Sequence, residues 1–590
     1  MGTKTKIICT IGPAVNSVER IEQLIRSGMS IARVNFSHSS YEQHKETIYN
    51  LKEARDRCKV PLAIMMDTRG PEIRTGAIEG GEIAVCQGST LTLVQEGEEG
   101  DGKLAIRPSV VLESLEEGTL LLIDNGYIQA KVVERSHGRI VIEFLNSGVV
   151  RSSKGINIPG VQVSLPALTE KDIADITFGC QEGLEIIAAS FIRTADNVLD
   201  IKRLLLDLGR PEMLLLAKIE NAEGVQNFES ILHVADGIMV ARGDLGVEVP
   251  ISQVPKLQKM MIKKCNLIGK PVVTATQMLE SMMTNPRPTR AEVSDVANAI
   301  YDGTSSVMLS GETAVGNYPI ESVETMRSVV LEAEEDFEYN AFFDLHAQRS
   351  YHDIPSALTL SAVKTADSLD AKAIFSFTHS GATARLLSRL KPRMPIIGFT
   401  TELCTYHQLS LLWGVFPVMC EEVCSTIGEA FAYASAWALR HTFVTYGDLV
   451  VVTTGFPFWV SGTTNTILVE SIGDVLARGS IGFGARVHGS ILLVPGPSLA
   501  RPCCAQGAVV VLTTFSEELL SLVLEASGVI LQSFPEDDEA EERLLRVCQE
   551  KNKPVIVGVD GAFRALRETQ LVTLDPEKAI IYKGIIKPGE

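Results

Sequence analysis

Two stretches share one pattern: Leu214-Leu215-Leu216-Ala217-Lys218-Ile219-Glu220 and, one strand-helix unit later, Gly237-Ile238-Met239-Val240-Ala241-Arg242-Gly243-Asp244-Leu245-Gly246. Each is an apolar run that stops in charge, as neighbouring parallel strands do where they end at one rim. The pattern puts two carboxylates, Glu220 and Asp244, beside one ammonium, Lys218. Side-by-side carboxylates repel unless a cation sits between them, so Glu220 and Asp244 are candidate ligands for a hard divalent metal, Mg²⁺ or Mn²⁺. Lys218 then faces whatever anion the metal holds. The same charges could instead form an ion pair that braces the rim.

Working outward, short apolar runs alternate with amphipathic segments from residue 6 to about 335, at the spacing of βα units. Strands are predicted at Ile7–Ile11, Ile31–Asn35, Leu62–Asp67, Glu185–Ser190, Leu214–Ile219, Gly237–Ala241, Pro271–Ala275 and Ser305–Leu309. Eight such strands close a (βα)8 TIM barrel. More than a hundred residues separate the third strand from the fourth, far beyond an ordinary βα connection. This interval, rich in Gly and in alternating stretches such as Thr90-Leu91-Thr92-Leu93-Val94, reads as an inserted small β-barrel that can close over the mouth as a lid.

The pattern restarts after Tyr339 with a helix at 354–369 and strands at 373–377, 395–399 and 449–453, a doubly wound α/β domain. An extra α/β domain follows a Gly-rich connector at Gly479–Gly484. The expected division is 1–70 with 167–340 for the barrel, 71–166 for the lid, 341–474 for the α/β regulatory domain and 485–590 for the last domain.

The bulk properties agree. At 590 residues the chain exceeds a single core, and a prior of about 100–200 residues per domain gives three to five. A net charge of −19 argues against nucleic-acid binding, which needs a basic face. The first residues carry too short an apolar run for a signal peptide, and no stretch of about 18 uncharged apolar residues occurs, so a cytoplasmic protein with no membrane partner is expected. Eleven cysteines without paired Cys-x-x-Cys spacing indicate neither zinc nor a disulfide framework, and the adjacent Cys503 and Cys504 read as a reduced pair.

Barrel active sites lie where strands terminate. Here those positions hold Thr10; Arg33, Asn35, Ser37 and His38; Asp67, Thr68, Arg69, Glu72 and Arg74; Ser190; Lys218 and Glu220; Asp244; Thr276; and Glu312. Cation ligands mixed with positive side chains suit a phosphorylated substrate bound through a metal. Thr10 and Glu312 could equally brace strand ends, and His38 could be a packed histidine. With these residues in view, the motifs Arg33-Val34-Asn35-Phe36-Ser37-His38, Asp67-Thr68-Arg69-Gly70-Pro71-Glu72-Ile73-Arg74-Thr75-Gly76, Lys218-Ile219-Glu220-Asn221, 239–247, 275–282 and Met308-Leu309-Ser310-Gly311-Glu312-Thr313-Ala314 resemble those of the pyruvate kinases, in order and spacing, over about residues 1–474.

The resemblance implies transfer of the phosphoryl group of phosphoenolpyruvate to ADP, giving pyruvate and ATP in the last step of glycolysis, by a homotetramer. Glu220 and Asp244 would hold Mg²⁺ or Mn²⁺. Lys218 and Arg33 would meet the phosphoryl group, where a fixed cation offsets charge developing on its oxygens. Asn35, Ser37, Asp67 and Thr68 match the family's K⁺ ligands, and Glu72 marks potassium-dependent members. Gly243 and Asp244 would offer helix-opening amides to the substrate carboxylate. Thr276 would position a proton donor near the methylene carbon, since a hydroxyl of ordinary pKa is a poor acid. Asn35, His38, Arg74 and Lys154 match positions near the nucleotide. Arg69, Asn125 and Ser305-Ser306 depart from common family residues without touching a metal ligand.

Thr378-His379-Ser380-Gly381-Ala382-Thr383 joins a strand to a helix through small and hydroxyl residues. It resembles the family's effector phosphate loop, with an ordinary Ser/Thr helix cap as the lesser alternative. The loop 455–465, with Trp459, would cover it. The last hundred residues resemble the mobile phosphohistidine domain of phosphoenolpyruvate-utilising enzymes, yet no histidine follows His488, so phosphohistidine chemistry is excluded. The acidic run 535–542 would repel phosphate, and a bracing role is expected. Two alternatives stand beside this reading: another metal-dependent barrel enzyme of pyruvate or phosphoenolpyruvate, such as an aldolase, and a silent metabolite-sensing scaffold.

Overall fold

The computed structural model describes residues 2–136, 139–161, 163, 165–347, 353–421, 424, 426–456, 462–499, 504–532 and 538–586. They form two compact units, one of residues 1–363, 376–423 and 453–466, the other of residues 364–375, 424–452 and 467–590.

In the first unit, eight parallel strands close a barrel in the ring order Lys6–Thr10, Ser306–Leu309, Val272–Ala275, Gly237–Ala241, Leu214–Ile219, Ile186–Ala189, Ala63–Asp67 and Ile31–Asn35. These strands are buried on both faces, which is why they read as continuous apolar runs and not as alternating ones. Ile8, Ile31, Met65, Ile186, Leu216, Met239, Val273 and Met308 pack in one interior cluster, and a second, larger cluster lies between strands and helices. Start signals fix where the helices begin. Ser40 with Gln43, Thr169 with Asp172, Thr194 with Asn197 and Thr289 with Glu292 each form a reciprocal capping box.

The long interval is a β-domain around its own core of Leu93, Ile106, Leu121, Ala130, Ile142 and Phe144. Its main sheet has seven strands, running in order from Ile156–Asn157 to Arg74–Thr75. Those two edges meet. Arg74 bridges Gly155, the Ile156 amide donates to the Ile73 carbonyl at 2.8 Å, and the Thr75 amide donates to the Lys154 carbonyl at 2.8 Å. The sheet is thereby closed into the small barrel expected from its alternating pattern, with a two-stranded ladder, Gly148–Arg151 with Glu82–Val85, at its side.

Beyond the barrel, a five-stranded sheet has the order Val415–Met419, Ile396–Thr400, Ala373–Phe377, Leu449–Gly455 and Thr464–Ser471. The expectation from sequence omitted its two edge strands, Val415–Met419 and Thr464–Ser471. In the second unit the dominant element is an eight-stranded mixed sheet. Here the structure corrects the connector. Val475–Arg478 pairs with Ile580–Lys583 at one edge of that sheet and Ile481–Phe483 with Val555–Val559 at the other, so the last domain begins near residue 475 instead of 485. The glycines serve close approach instead of flexibility. A Cβ on Gly479 would lie 2.2 Å from Ile556 Cγ2, and one on Gly482 would lie 2.1 Å from the Pro576 carbonyl oxygen. Part of the acidic run, 535–537, lies outside the described residues, as does Cys503. No helix among the described residues is long and apolar enough to cross a membrane.

Candidate active site

Lys218 is the last residue but one of the Leu214–Ile219 strand, and Asp67 ends the Ala63–Asp67 strand, with the Ile186–Ala189 strand between them in the ring. The ammonium reaches across that middle strand. Its Nζ donates to Ser190 Oγ at 2.7 Å and to Asp67 Oδ1 at 3.0 Å, and it lies 3.0 Å from Glu220 Oε1. Three acceptors match the three N–H bonds of an ammonium. Asp67 is shared: its Oδ2 accepts from Arg33 Nε at 2.6 Å, while Arg33 Nη1 donates to Thr10 Oγ1 at 3.0 Å. Register explains the convergence, because Arg33 pairs with Met65 and Asn35 with Asp67 at the same rim.

The electrostatics are asymmetric. Burial pushes the Asp67 carboxyl up, but Arg33 and Lys218 outweigh it and hold the group below the usual carboxylate range. Burial likewise lowers Lys218, yet Asp67 and Glu220 more than reverse this, so the ammonium stays charged. Glu220 goes the other way. Desolvation raises it beyond what Lys218 offsets, and Asp244 raises it further. Asp244 is also raised, first by burial. Lys218 divides its charge between two acids, and Glu220 is left under-compensated where it faces Asp244. A divalent cation would relieve that imbalance.

Backbone groups finish the rim. Glu220 Oε2 accepts from the Phe191 amide at 2.6 Å, an amide turned inward by a left-handed φ of 55°. Arg242–Glu248 is a seven-residue helix that opens at the end of the Gly237–Ala241 strand, which places Gly243 and Asp244 in its first turn. The Gly243 amide donates to Thr276 Oγ1 at 3.0 Å, and that hydroxyl donates to the Ala275 carbonyl at 2.6 Å. Thr276 and Gln277 both have positive φ, 66° and 56°. A β-branched residue in this region is strained, and such strain persists only where surrounding contacts over-determine it. Arg242 supplies those contacts: its guanidinium donates to the carbonyls of Ala275 at 3.1 Å and Thr276 at 2.7 Å and pairs with Asp295 at 2.7 Å. Sequence alone places Arg242 within its motif and Ser190 at a strand end without assigning either a role. Their signal was present in both cases, a polar residue at a strand end.

Around the mouth, Thr68 Oγ1 accepts from the Ser190 amide at 3.2 Å and Asn35 Oδ1 from the Ser37 amide at 3.1 Å, so Asn35, Ser37, Asp67 and Thr68 gather at neighbouring strand ends. His38 is exposed, and a packed role is excluded. Closure of the small barrel sets Arg74 beside Lys154. Arg74 donates to the Ser153 carbonyl at 2.8 Å and pairs with Glu72, while Lys154 Nζ lies 3.0 Å from Asp124 Oδ1. Glu312 braces the rim by accepting from the Ser310 amide at 2.7 Å and the Leu279 amide at 3.1 Å. A cavity of about 330 Å³ opens under the inserted domain, lined in part by Glu72, Arg74, Phe191, Arg193, Asp244 and Glu248. Across it Asn157 Nδ2 donates to Glu248 Oε1 at 2.8 Å, linking the inserted domain to the helix that carries Asp244.

Away from this mouth, 378–383 lines a small cavity with 454–455 and 462–464. The helix Ala382–Ser388 has Gly381 at its N-cap, in a left-handed conformation that supplies no side-chain cap bond. Thr383 Oγ1 and Thr464 Oγ1 share a hydrogen bond of 2.5 Å, and Thr405 donates to the His379 carbonyl at 2.8 Å. Trp459 lies outside the described residues.

Residues 2–323 match the family model "Pyruvate kinase, barrel domain", and residues 356–470 match "Pyruvate kinase, alpha/beta domain". The chain belongs to the pyruvate kinase family. Membership makes it a phosphotransferase. It is 42% identical over 588 residues to a pyruvate kinase of Geobacillus stearothermophilus, covering 99% of each chain, and 41% identical over 587 residues to one of Sporosarcina psychrophila, covering 98% of this chain and 99% of the relative. Among solved structures, a pyruvate kinase of Cryptosporidium parvum is 38% identical with a TM-score of 0.76, over 80% of this chain and 96% of that one. Residues after 470 lie beyond both pyruvate kinase models, whereas the two bacterial relatives match over nearly their full length.

Proposed function

We propose that this phosphotransferase moves the phosphoryl group of phosphoenolpyruvate to ADP at the barrel mouth, and that Lys218, Arg33, Glu220, Asp244 and Thr276 are its working side chains. The observation that carries the reading is Lys218 held between Asp67 and Glu220, with the charge of Asp244 near enough to raise Glu220 further. Such a buried ammonium cannot lose its proton at neutral pH and cannot swing away, so it presents fixed positive charge where equatorial phosphoryl oxygens gain negative charge. Arg33, anchored through Nε and Nη1, adds a second fixed cation.

The donor set fits a divalent ion. Both Glu220 and Asp244 are raised, first by burial, and Asp244 adds to the rise of Glu220, so two carboxylates with excess proton affinity stand ready as oxygen ligands. When bound, Mg²⁺ or Mn²⁺ would neutralise the substrate's carboxylate and phosphate. Asn35, Ser37, Asp67 and Thr68 form an all-oxygen set suited to K⁺, with Glu72 paired to Arg69 and Arg74 nearby. Thr276, locked by Gly243 and Arg242, holds its hydroxyl where it can orient the group that protonates the product. Arg74, Lys154, His38 and Asn35 serve the nucleotide. The 378–383 loop binds the phosphate of an effector, the enzyme works as a cytoplasmic homotetramer, and the last domain, with no histidine after His488, braces the assembly.

The test is pyruvate formation from phosphoenolpyruvate and ADP with Mg²⁺ and K⁺, by parent and Lys218→Met. Parent turnover with a loss of about 10²–10³-fold or more in the variant, at retained fold, is the expected result. A silent parent would overturn the reading. Full activity in buffer free of K⁺ and Na⁺ would remove the potassium assignment alone.

A further inference from the structure

The inserted domain is tied to the barrel by two chain crossings, one leaving the Ala63–Asp67 strand through Thr68 to Pro71 and one returning through Pro166 to the helix Glu170–Gln181. A single buried carboxylate touches both. Asp172, 1% exposed, accepts from the Gly70 amide through Oδ1 at 3.0 Å. Through Oδ2 it accepts from the Thr169 amide at 2.9 Å and the Thr169 hydroxyl at 2.6 Å. The second set of bonds is an ordinary capping box; the first is not, because Gly70 lies 102 positions earlier in the chain. Gly70 itself cannot shift freely. Its φ is 71°, and a Cβ there would lie 2.9 Å from the Ser190 carbonyl oxygen, so this bend is held hard against the strand end that carries Ser190.

The same helix turn grips a second part of the rim. Lys171 Nζ donates to the Phe36 carbonyl at 2.8 Å and to Asp175 Oδ2 at 2.5 Å, and Asp175 Oδ1 accepts from Tyr41 at 2.7 Å. The loop carrying Ser37 and His38 is therefore clamped at both ends by Lys171 and Asp175 of the helix that carries Asp172. Charge-assisted bonds to backbone amides are about twice as strong as neutral ones, and a buried amide left without its acceptor is destabilising.

We propose that Asp172 is a positioning residue that fastens the entering chain of the inserted domain at Gly70 to its returning chain at Thr169, so that Thr68, Gly70 and the inserted domain keep one geometry against the barrel mouth. It touches no reacting group. Asp172 acts through the Gly70 amide, two residues from Thr68, and resting on the phosphotransfer reading, its loss should appear in turnover more than in substrate affinity, because small misplacements at a mouth are felt in the transition state.

Hydrogen exchange of the Gly70 amide and steady-state kinetics, measured on the full chain, test this with three variants. In Asp172→Asn the amide group cannot satisfy both crossings, and exchange at Gly70 should quicken at least about tenfold while kcat falls about tenfold and KM for phosphoenolpyruvate changes less than about threefold. Thr169→Ala removes the hydroxyl link of the cap but leaves Asp172 on Gly70; protection and kcat should stay within about twofold of the parent. Asp172→Glu keeps charge and both acceptors and should recover most of kcat; should Asp172→Asn fail to fold, it becomes the variant on which both readouts are taken, with a partial loss of Gly70 protection tracking a partial loss of kcat. Unchanged protection of Gly70, lost protection with unchanged kcat, or equal losses in Asp172→Asn and Thr169→Ala would each overturn the proposal. If the parent has no pyruvate-forming activity, the phosphotransfer reading fails, and the exchange measurement still decides the role of Asp172.

Discussion

At the scale of single residues, the site turns on how one ammonium is shared. Lys218 serves two acids, and Asp67 is further neutralised by Arg33, so Glu220 carries the uncompensated part. Removing that charge should therefore weaken metal binding while relieving repulsion. Glu220→Gln is expected to raise the Mn²⁺ concentration for half-saturation by at least about tenfold, measured by titration of the ion without substrate, with thermal stability in metal-free buffer unchanged or higher. A fall in metal-free stability would show that Glu220 is held chiefly as a partner of Lys218. Sequence supplied each of these residues, since a charged group at the end of an apolar run is a local signal. It could not supply Lys218 to Asp67, which are 151 positions apart and meet because one strand lies between theirs in the ring.

At the scale of elements, two contacts have measurable consequences. The Asn157 to Glu248 bond is a latch between the inserted domain and the Arg242–Glu248 helix. Asn157→Ala should leave the fold intact and raise KM for ADP several-fold, with a smaller effect on phosphoenolpyruvate, because the lost bond belongs to the closing element. Equal kinetics in parent and variant would rule the latch out. The second contact sets a pH limit. His407 Nδ1 accepts from the Leu62 amide at 3.3 Å, and burial, reinforced by Arg55, pushes the imidazole down to about 3. A folded-state value below the ordinary 6.5 means that the unfolded chain takes the proton first. The contribution is intact above about pH 6.5 and is lost as pH falls from there toward 3, by at most about 1.4 kcal/mol per unit. His407→Gln should flatten this part of the stability curve in chemical denaturation at pH 5 against pH 7. An unchanged slope would place the acid sensitivity elsewhere. Neither contact was legible beforehand, since a lone histidine and a lone asparagine carry no spacing to read.

At the scale of the whole molecule, the last domain is woven into its unit more tightly than a connector would allow. Besides the two edge strands, Lys578 Nζ donates to Thr445 Oγ1 at 2.7 Å and to the Tyr446 carbonyl at 2.5 Å, and Arg478 donates to the Gly447 carbonyl at 2.7 Å. Gly447 has no room for a side chain: a Cβ would lie 2.2 Å from Tyr582 Oη. Ending the chain at 484 keeps the strands Val475–Arg478 and Ile481–Phe483 but removes both of their partners, so it should aggregate or melt lower than a chain ended at 474, where neither edge is left open. Equal melting and solubility of the two would contradict this. Periodicity and strand-end charge alone determined the closed ring of eight strands, the inserted β-domain and the identity of the rim residues, because apolar period and charge placement are local properties of the chain. Only the tertiary structure decided which charges share a partner, that the Gly479–Gly484 stretch carries the edge strand Ile481–Phe483 instead of a free linker, that Arg74 and Lys154 stand side by side through closure of the small barrel, and that Asp172 holds both crossings. Each of these depends on groups brought together from distant positions by packing, and sequence spacing carries no record of that distance.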